Sequence, residues 1–303
     1  MKKTLIAALW LLFSAAPAFA APLPVVASFS ILGDMVKTIG GEDVTVTTLA
    51  GPDSDTHAYQ PTPSDARAMK DAKVIFLNGL GFEGWMDRLV QSSGTAAPRI
   101  VTTKGIKVRD MKESGAEDHH EHHDHTHGNI DPHAWQNLAN AHVYVKNITD
   151  ALVAALPDRA EAIRARARAY DAQITKTDMW VRDQFRNIPQ DSRFIITSHD
   201  AFGYFADAYG ITIDAPEGLS TESEPGARQV ARLIDQIRAH KVKSVFIENM
   251  ASPRLMQEIA AQTGAQAGQT LYSDALSKAD GPAPTYLSVF RHNVPLMAAA
   301  MRH

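Results

Sequence analysis

Residues 158–186, DRAEAIRARARAYDAQITKTDMWVRDQFR, decide how the chain is divided. Ile163, Ala167, Tyr170, Ile174, Thr177, Val181 and Phe185 recur at spacings of 4, 3, 4, 3, 4 and 4, which traces one face of an α-helix. At roughly 1.5 Å per residue, such a helix reaches about 42 Å. That length suits an element that ties two domains together better than one packed inside a single domain.

The flanks support this division. Before the helix, PVVASFS (24–30), DVTVTTL (43–49), KVIFLNG (73–79) and RIVTT (99–103) are β-rich. Helical patterns separate them near 31–39, 64–71 and 82–92. Ser64 is placed to cap the second of these, after the turn at Pro61-Thr62-Pro63. A further helix is expected at about 137–155. After Pro189 the alternation restarts, with strands at RFIITS (193–198), ITID (211–214), VKSVFIE (242–248) and QTL (269–271 and its flank). Helices are expected near 200–209, 225–240, 253–263 and at the C-terminus. Strand–helix alternation implies parallel sheets covered by helices. The expected fold is therefore α/β: two α/β lobes with parallel sheets joined by a long linker helix. The expected parts are an N-terminal lobe over 21–157, a linker helix over 158–187 and a C-terminal lobe over 188–303.

The first twenty residues stand apart. Lys2 and Lys3 precede the apolar run TLIAALWLLF (4–13), and Ala18-Phe19-Ala20 fits a small-x-small cleavage site. The run is too short to span a membrane. A secretory signal peptide over 1–20, cut after Ala20, places the protein in the periplasm. Its removal leaves 28 of the 30 basic residues against all 34 acidic ones, a formal charge of −6, which argues against a nucleic-acid surface. The chain has no cysteine, so any metal site must be built from His, Asp and Glu.

Histidine is abundant, and seven of the thirteen fall in EDHHEHHDHTHGNIDPH (117–133). Residues 109–129 are charged and nearly free of large apolar side chains, the composition of a disordered loop. His119, His120, His122, His123, His125 and His127 in it are expected to bind metal weakly and in shifting geometry, as an auxiliary set, or to be a solvated charged face. The zincin pattern H-E-x-x-H fails here, because the fifth position from His120 is Asp124.

Three histidines outside the tract sit at strand ends or loop-to-helix junctions. His57 lies in GPDSDTHAYQPTPSD, His133 in DPHAW and His199 in TSHDAFGYF. Asp274, in LYSDALS, follows the last expected strand. Ligands of α/β sheets bind beyond the carboxyl ends of strands, and three imidazoles with one carboxylate suit Zn²⁺. Each also has a plainer reading: a surface histidine, or for Asp274 a helix cap. Asp131 is either a turn former before Pro132 or a hydrogen-bond partner of an imidazole. His142, His240, His292 and His303 are read as surface or core residues.

Taken together, VVASFSILGDMVKTIGG, GPDSDTHAYQPTPSD, the His-rich tract, DPHAW, TSHDAFGYFADAYG, EGLSTESEPGARQV, VFIEN and LYSDALS occur in an order and spacing that resemble a known family. It is the metal-binding solute-binding proteins of ABC transporters (cluster A-I), most closely the zinc-specific, ZnuA-like and AztC-like branch. The resemblance implies a metal held in the cleft between the lobes by His57, His133, His199 and Asp274. It implies Zn²⁺ as cargo, since relatives that select Mn²⁺ typically carry Glu where this chain has His199. The reading that follows is a non-enzymatic periplasmic carrier that delivers zinc to an inner-membrane ABC permease, expected to be monomeric, with a periplasmic zinc chaperone as a candidate donor. Competing readings are a manganese or iron carrier of the same fold, a secreted zinc hydrolase using Glu248 or Glu222 as general base, and an adhesin.

Overall fold

The computed structural model describes residues 21–110, 130–219, 221 and 225–302. Residues 1–20, read as a signal peptide, the histidines of the 117–129 tract, Glu222 and His303 lie outside the described residues. Two four-stranded, wholly parallel sheets form the two lobes. The first runs β2(Val44–Ala50), β1(Leu23–Phe29), β3(Val74–Leu77), β4(Arg99–Val101). The second runs β6(Thr212–Asp214), β5(Phe194–Ile196), β7(Ser244–Glu248), β8(Gln266–Leu271). The strand order is the same in both, so the lobes repeat a topology although no repeat is visible in the sequence.

Both faces of each sheet are covered, as parallel sheets require. In β1, Val25, Ala27 and Phe29 face the central core while Val26 faces an outer layer with Leu49, Met69, Ile75 and Leu89. In β7, Phe246 faces the central core and Val245 packs outward with Leu233, Ile237, Met256 and Ile259. The outer layers are made by α2(Pro63–Asp71) and α3(Met86–Ser93) on one lobe, and by α7(Ala227–Ala239) and α8(Arg254–Thr263) on the other. The central cluster is continuous between the lobes, from Phe29 and Ile31 through Tyr144 and Tyr170 to Phe205, Leu271 and Phe290.

The long helix is α5(Ala160–Phe185), preceded by a 3₁₀ turn over Pro157–Arg159. Its 26 residues span about 39 Å. All seven residues of the expected stripe are buried. That stripe packs against α1(Ser30–Gly40) and α4(Leu138–Ala155) of one lobe, and against α6(Gly203–Tyr209) and α9(Tyr286–Met301) of the other. Arg166 fastens it to the first lobe by donating to the Ile39 and Gly40 carbonyls and to Asp43. Arg193 donates to the Phe185 carbonyl and so satisfies the helix end at the second lobe. Among the described residues no helix is long and apolar enough to cross a membrane.

Two local expectations change. Thr62, not Ser64, caps α2: Pro63 takes the first helical position, so the cap falls on the residue before it. Thr62 then exchanges a capping box with Asp65. Arg109 and Asp110, assigned to the His-rich loop, are held against the protein. Asp110 bridges to Ile130, and the Arg109 carbonyl accepts from the Asp131 N–H at 2.9 Å.

Ile174 sits fully buried in the middle of α5, within the central core that the two lobes share. Ile174→Ala is expected to lower unfolding stability by about 2–5 kcal/mol, measured by denaturant melts of the mature protein. A loss below about 1 kcal/mol would mean that the helix face is not fully packed.

Candidate metal centre

The four candidate residues arrive from four separate segments. His57 lies in the loop after β2, where its backbone N–H and that of Ala58 donate to Asp55 Oδ1. Trp85 Nε1 donates to the Thr56 carbonyl at 2.8 Å and fixes the same loop from below. The edge of Phe82 packs on the His57 ring. His133 precedes a 3₁₀ turn, Ala134–Gln136, that leads into α4. The Pro132 carbonyl accepts from Asn78 Nδ2 at 2.9 Å, which anchors this segment to the end of β3. His199 follows β5 and Asp274 follows β8. His57, His199 and Asp274 thus stand beyond the carboxyl ends of parallel strands, where such sheets leave room for a ligand.

All four side chains are buried, and one donor atom from each lies within 4.8 Å of all the others. Asp274 Oδ2 is 3.1 Å from His199 Nε2, 3.3 Å from His57 Nε2 and 3.6 Å from His133 Nε2. His57 Nε2 is 3.2 Å from His133 Nε2. A tetrahedral zinc ion with bonds of about 2.0–2.1 Å has donor–donor edges of about 3.3–3.4 Å. These four of the six edges therefore lie within about 0.2 Å of tetrahedral lengths. Asp274 Oδ1 is buried and has no hydrogen-bond partner among the described residues, a costly arrangement unless a cation shares the carboxylate.

Two further carboxylates hold the imidazoles. Asp131 Oδ1 accepts from the His133 N–H and lies 2.9 Å from His133 Nδ1. This orients Nε2 toward Asp274, and Asp131 fits both of its readings: its bond to the His133 N–H is an Asx-turn contact, and its contact with Nδ1 is a hydrogen bond to the imidazole. On the other lobe, Glu248 Oε1 accepts from the Ser198 and His199 N–H groups, and Oε2 lies 2.7 Å from His199 Nδ1. Sequence reasoning raised Glu248 only as a hydrolytic base. Its place at the carboxyl end of β7 was the available signal, and its partner shows that it orients His199.

The charges interlock. Burial works against a charge on His133, but Asp274 and Asp131 outweigh it and raise His133 from an ordinary 6.5 to about 9. Burial likewise opposes a charge on His199, and Glu248 with Asp274 still raises it well above its usual range. Burial would raise Asp274, but His133 and His199 hold it well below the usual carboxylate range. Without metal, protons on the imidazoles balance the buried carboxylate.

Among the described residues, the other histidines stay apart. His142 pairs with Asp171 between α4 and α5, His240 stacks on Phe194, and His292 Nε2 meets the Thr270 carbonyl. Asp274 caps no helix, since α9 is capped by Thr285.

Two α/β lobes with a buried cluster of three imidazoles and one carboxylate between them define a metal-binding protein of the substrate-capturing kind. The family described as zinc-uptake complex component A, periplasmic, matches residues 25–300, and the chain belongs to it. It is a substrate-binding component of ABC transporters and not an enzyme. Among curated relatives, the manganese-binding lipoprotein MntA of Halalkalibacterium halodurans is 32% identical over 279 residues, covering 92% of this chain and 88% of that protein. The iron-binding protein YfeA of Yersinia pestis is 34% identical over 274 residues, covering 90% and 85%. Among solved structures, the periplasmic zinc-binding protein TroA from Treponema pallidum aligns with a TM-score of 0.84 at 28% identity, covering 93% of this chain and 99% of that one.

The raised His133 sets a pH signature. Its contribution to the metal-free fold is fully present below about 6.5 and is lost as pH rises through about 9. A metal ion competes for the same nitrogen, so binding strengthens over that window. The metal-free melting temperature should fall between pH 6.5 and 9 while the increment added by buffered Zn²⁺ grows. Calorimetry with and without metal would check both, and a metal-free melting temperature that climbs over this range would contradict the assignment.

Proposed function

We propose that the protein is a periplasmic zinc carrier that binds one Zn²⁺ through His57, His133, His199 and Asp274 and delivers it to an inner-membrane ABC permease. The observation that carries this reading is the third imidazole, His199, at tetrahedral distance from Asp274. A set of three nitrogens and one oxygen suits zinc, whereas manganese prefers oxygen-rich, six-coordinate sites. Four protein donors close the coordination sphere, which favours capture over catalysis. Glu248 is committed to His199 and two backbone N–H groups, so it is not free to activate water, which speaks against the hydrolase reading.

The names of MntA and YfeA make a manganese or iron carrier the second reading. Chelator competition with Zn²⁺, Mn²⁺ and Fe²⁺ on the mature protein separates the two. Zinc should bind at one tight site and resist displacement by manganese, and His199→Glu should narrow that preference. Manganese binding as tight as zinc in the unaltered protein would replace zinc by manganese as the cargo.

The signal-peptide assignment supports export, and the permease follows from the family. A chaperone donor and a monomeric state complete the proposal. The dense histidines at 119–127 are assigned to collecting or sensing zinc near the site. Removing residues 118–128 should spare the single tight site and abolish only weak binding in the same titration. Loss of the tight site on deletion would make the loop histidines primary ligands.

A further inference from the structure

The carboxylate that orients His133 is itself held, and the residue holding it also reaches the other lobe. Arg109 Nη1 donates to Asp131 Oδ2 at 3.1 Å, and its Nε donates to Asp207 Oδ2 at 3.0 Å. Asp131 is buried in the first lobe, while Asp207 is exposed on α6 of the second. The backbone is tied at the same point. The Arg109 N–H donates to the Tyr204 hydroxyl at 2.9 Å, again on α6. Asp200 is the third acid that the guanidinium faces.

The seam is shaped for this approach. Gly203 opens α6, and a Cβ there would lie 2.3 Å from Arg109 Nη1 and 2.6 Å from Asp131 Oδ2. Both atoms are fixed by their ion pair, so glycine lets the helix end close on them. The same segment carries His199: the Ala201 N–H donates to the His199 carbonyl at 2.9 Å, and α6 begins two residues later. A continuous path therefore runs from His133 through Asp131, Arg109 and Asp207 to the segment that presents His199.

Building on the metal site proposed above, we infer that Arg109 is a positioning residue that makes the presentation of His133 depend on the two lobes being together, and so governs how fast the metal leaves. Asp131 spends one oxygen on His133 and the other on Arg109. Without the guanidinium, the buried carboxylate loses its counter-charge and the imidazole loses a fixed stop. Removing such outer partners of metal-binding histidines typically costs about 10–100-fold in affinity. The Asp207 arm is exposed, so its effect is smaller: cutting it weakens the side-chain link from Arg109 to the second lobe, while the Asp131 arm and the Arg109 N–H bond to Tyr204 stay in place.

The test is release of Co²⁺ from the mature protein into excess EDTA, followed by visible absorbance, for Arg109→Ala, Asp207→Asn and the double variant. Metal-free melting temperatures are recorded alongside. Arg109→Ala should release about tenfold faster or more, with a changed Co²⁺ band. Asp207→Asn should release about 2–5-fold faster with an unchanged band, and the double variant should be no faster than Arg109→Ala. Wild-type release from Asp207→Asn overturns the inference. So does an Arg109→Ala protein whose melting temperature falls while its release rate and band stay unchanged, which would assign Arg109 to the fold alone. His133→Ala keeps the two readings apart. If it retains tight Co²⁺, the site assignment has failed. If it loses Co²⁺ while the Arg109 and Asp207 variants release normally, only the Arg109 role has failed.

Discussion

A carboxylate is buried at the meeting of two lobes, and much of the architecture around it answers that constraint. Asp274 is wholly inaccessible, one of its oxygens has no hydrogen-bond partner among the described residues, and the other faces three imidazole nitrogens. An isolated buried charge is costly, so it must be balanced by something close. In the metal-free protein the balance is struck by protonated His133 and His199, each raised by its neighbours against the opposing effect of burial. A divalent cation can replace those protons, and four of the six donor–donor edges already stand close to tetrahedral separations.

That geometry is inherited from the seam between the lobes. Trp135 Nε1 and Gln136 Nε2, two and three residues after His133, both donate to the Ser273 carbonyl beside Asp274. Tyr286 donates its hydroxyl to the Trp135 carbonyl, and the Leu276 N–H donates to Ser30 Oγ. Asp53 and Asn249 link the two rims, and Thr221 donates to Asp55, which also positions His57. Below this layer the apolar core runs without interruption from one lobe to the other. The donors are therefore placed by packing and by many short hydrogen bonds, as a preorganised site needs.

Much of the frame was legible in sequence because its signals are local. The stripe on α5 depends only on helical periodicity, and each of its seven residues is buried. The strands and most helices follow from alternating β-rich and amphipathic runs, with ends shifted by a few residues. Choosing four metal-binding candidates from thirteen histidines and many acids drew on their places at strand ends and on the family resemblance. What periodicity could not carry is long-range. Glu248 lies 49 residues from His199 and Arg109 lies 98 from Asp207, so nothing local pairs them. Arg109 was read with the charged loop because its neighbours in sequence resemble that loop, whereas its partners in space belong to the seam. The matching strand orders of the two lobes are a repeat of topology, which does not require a repeat of residues.

The distribution of donors explains how one protein could hold a metal firmly and still give it up. On the proposed assignment, His57 and His133 come from the first lobe and His199 and Asp274 from the second. Each lobe also keeps its own orienting carboxylate, Asp131 on one side and Glu248 on the other. Together the halves complete a four-coordinate shell; apart, each offers only two protein donors, and water must fill the rest. A two-donor half-site is a far weaker binder than the closed shell, so separating the lobes would lower affinity without breaking any bond inside either half. Since α5 packs on both lobes and the core is shared, such a separation is opposed by apolar burial, and a partner that drives it must supply its own interaction energy. Release would then be coupled to docking, which lets a carrier of this kind retain its cargo until it reaches the permease.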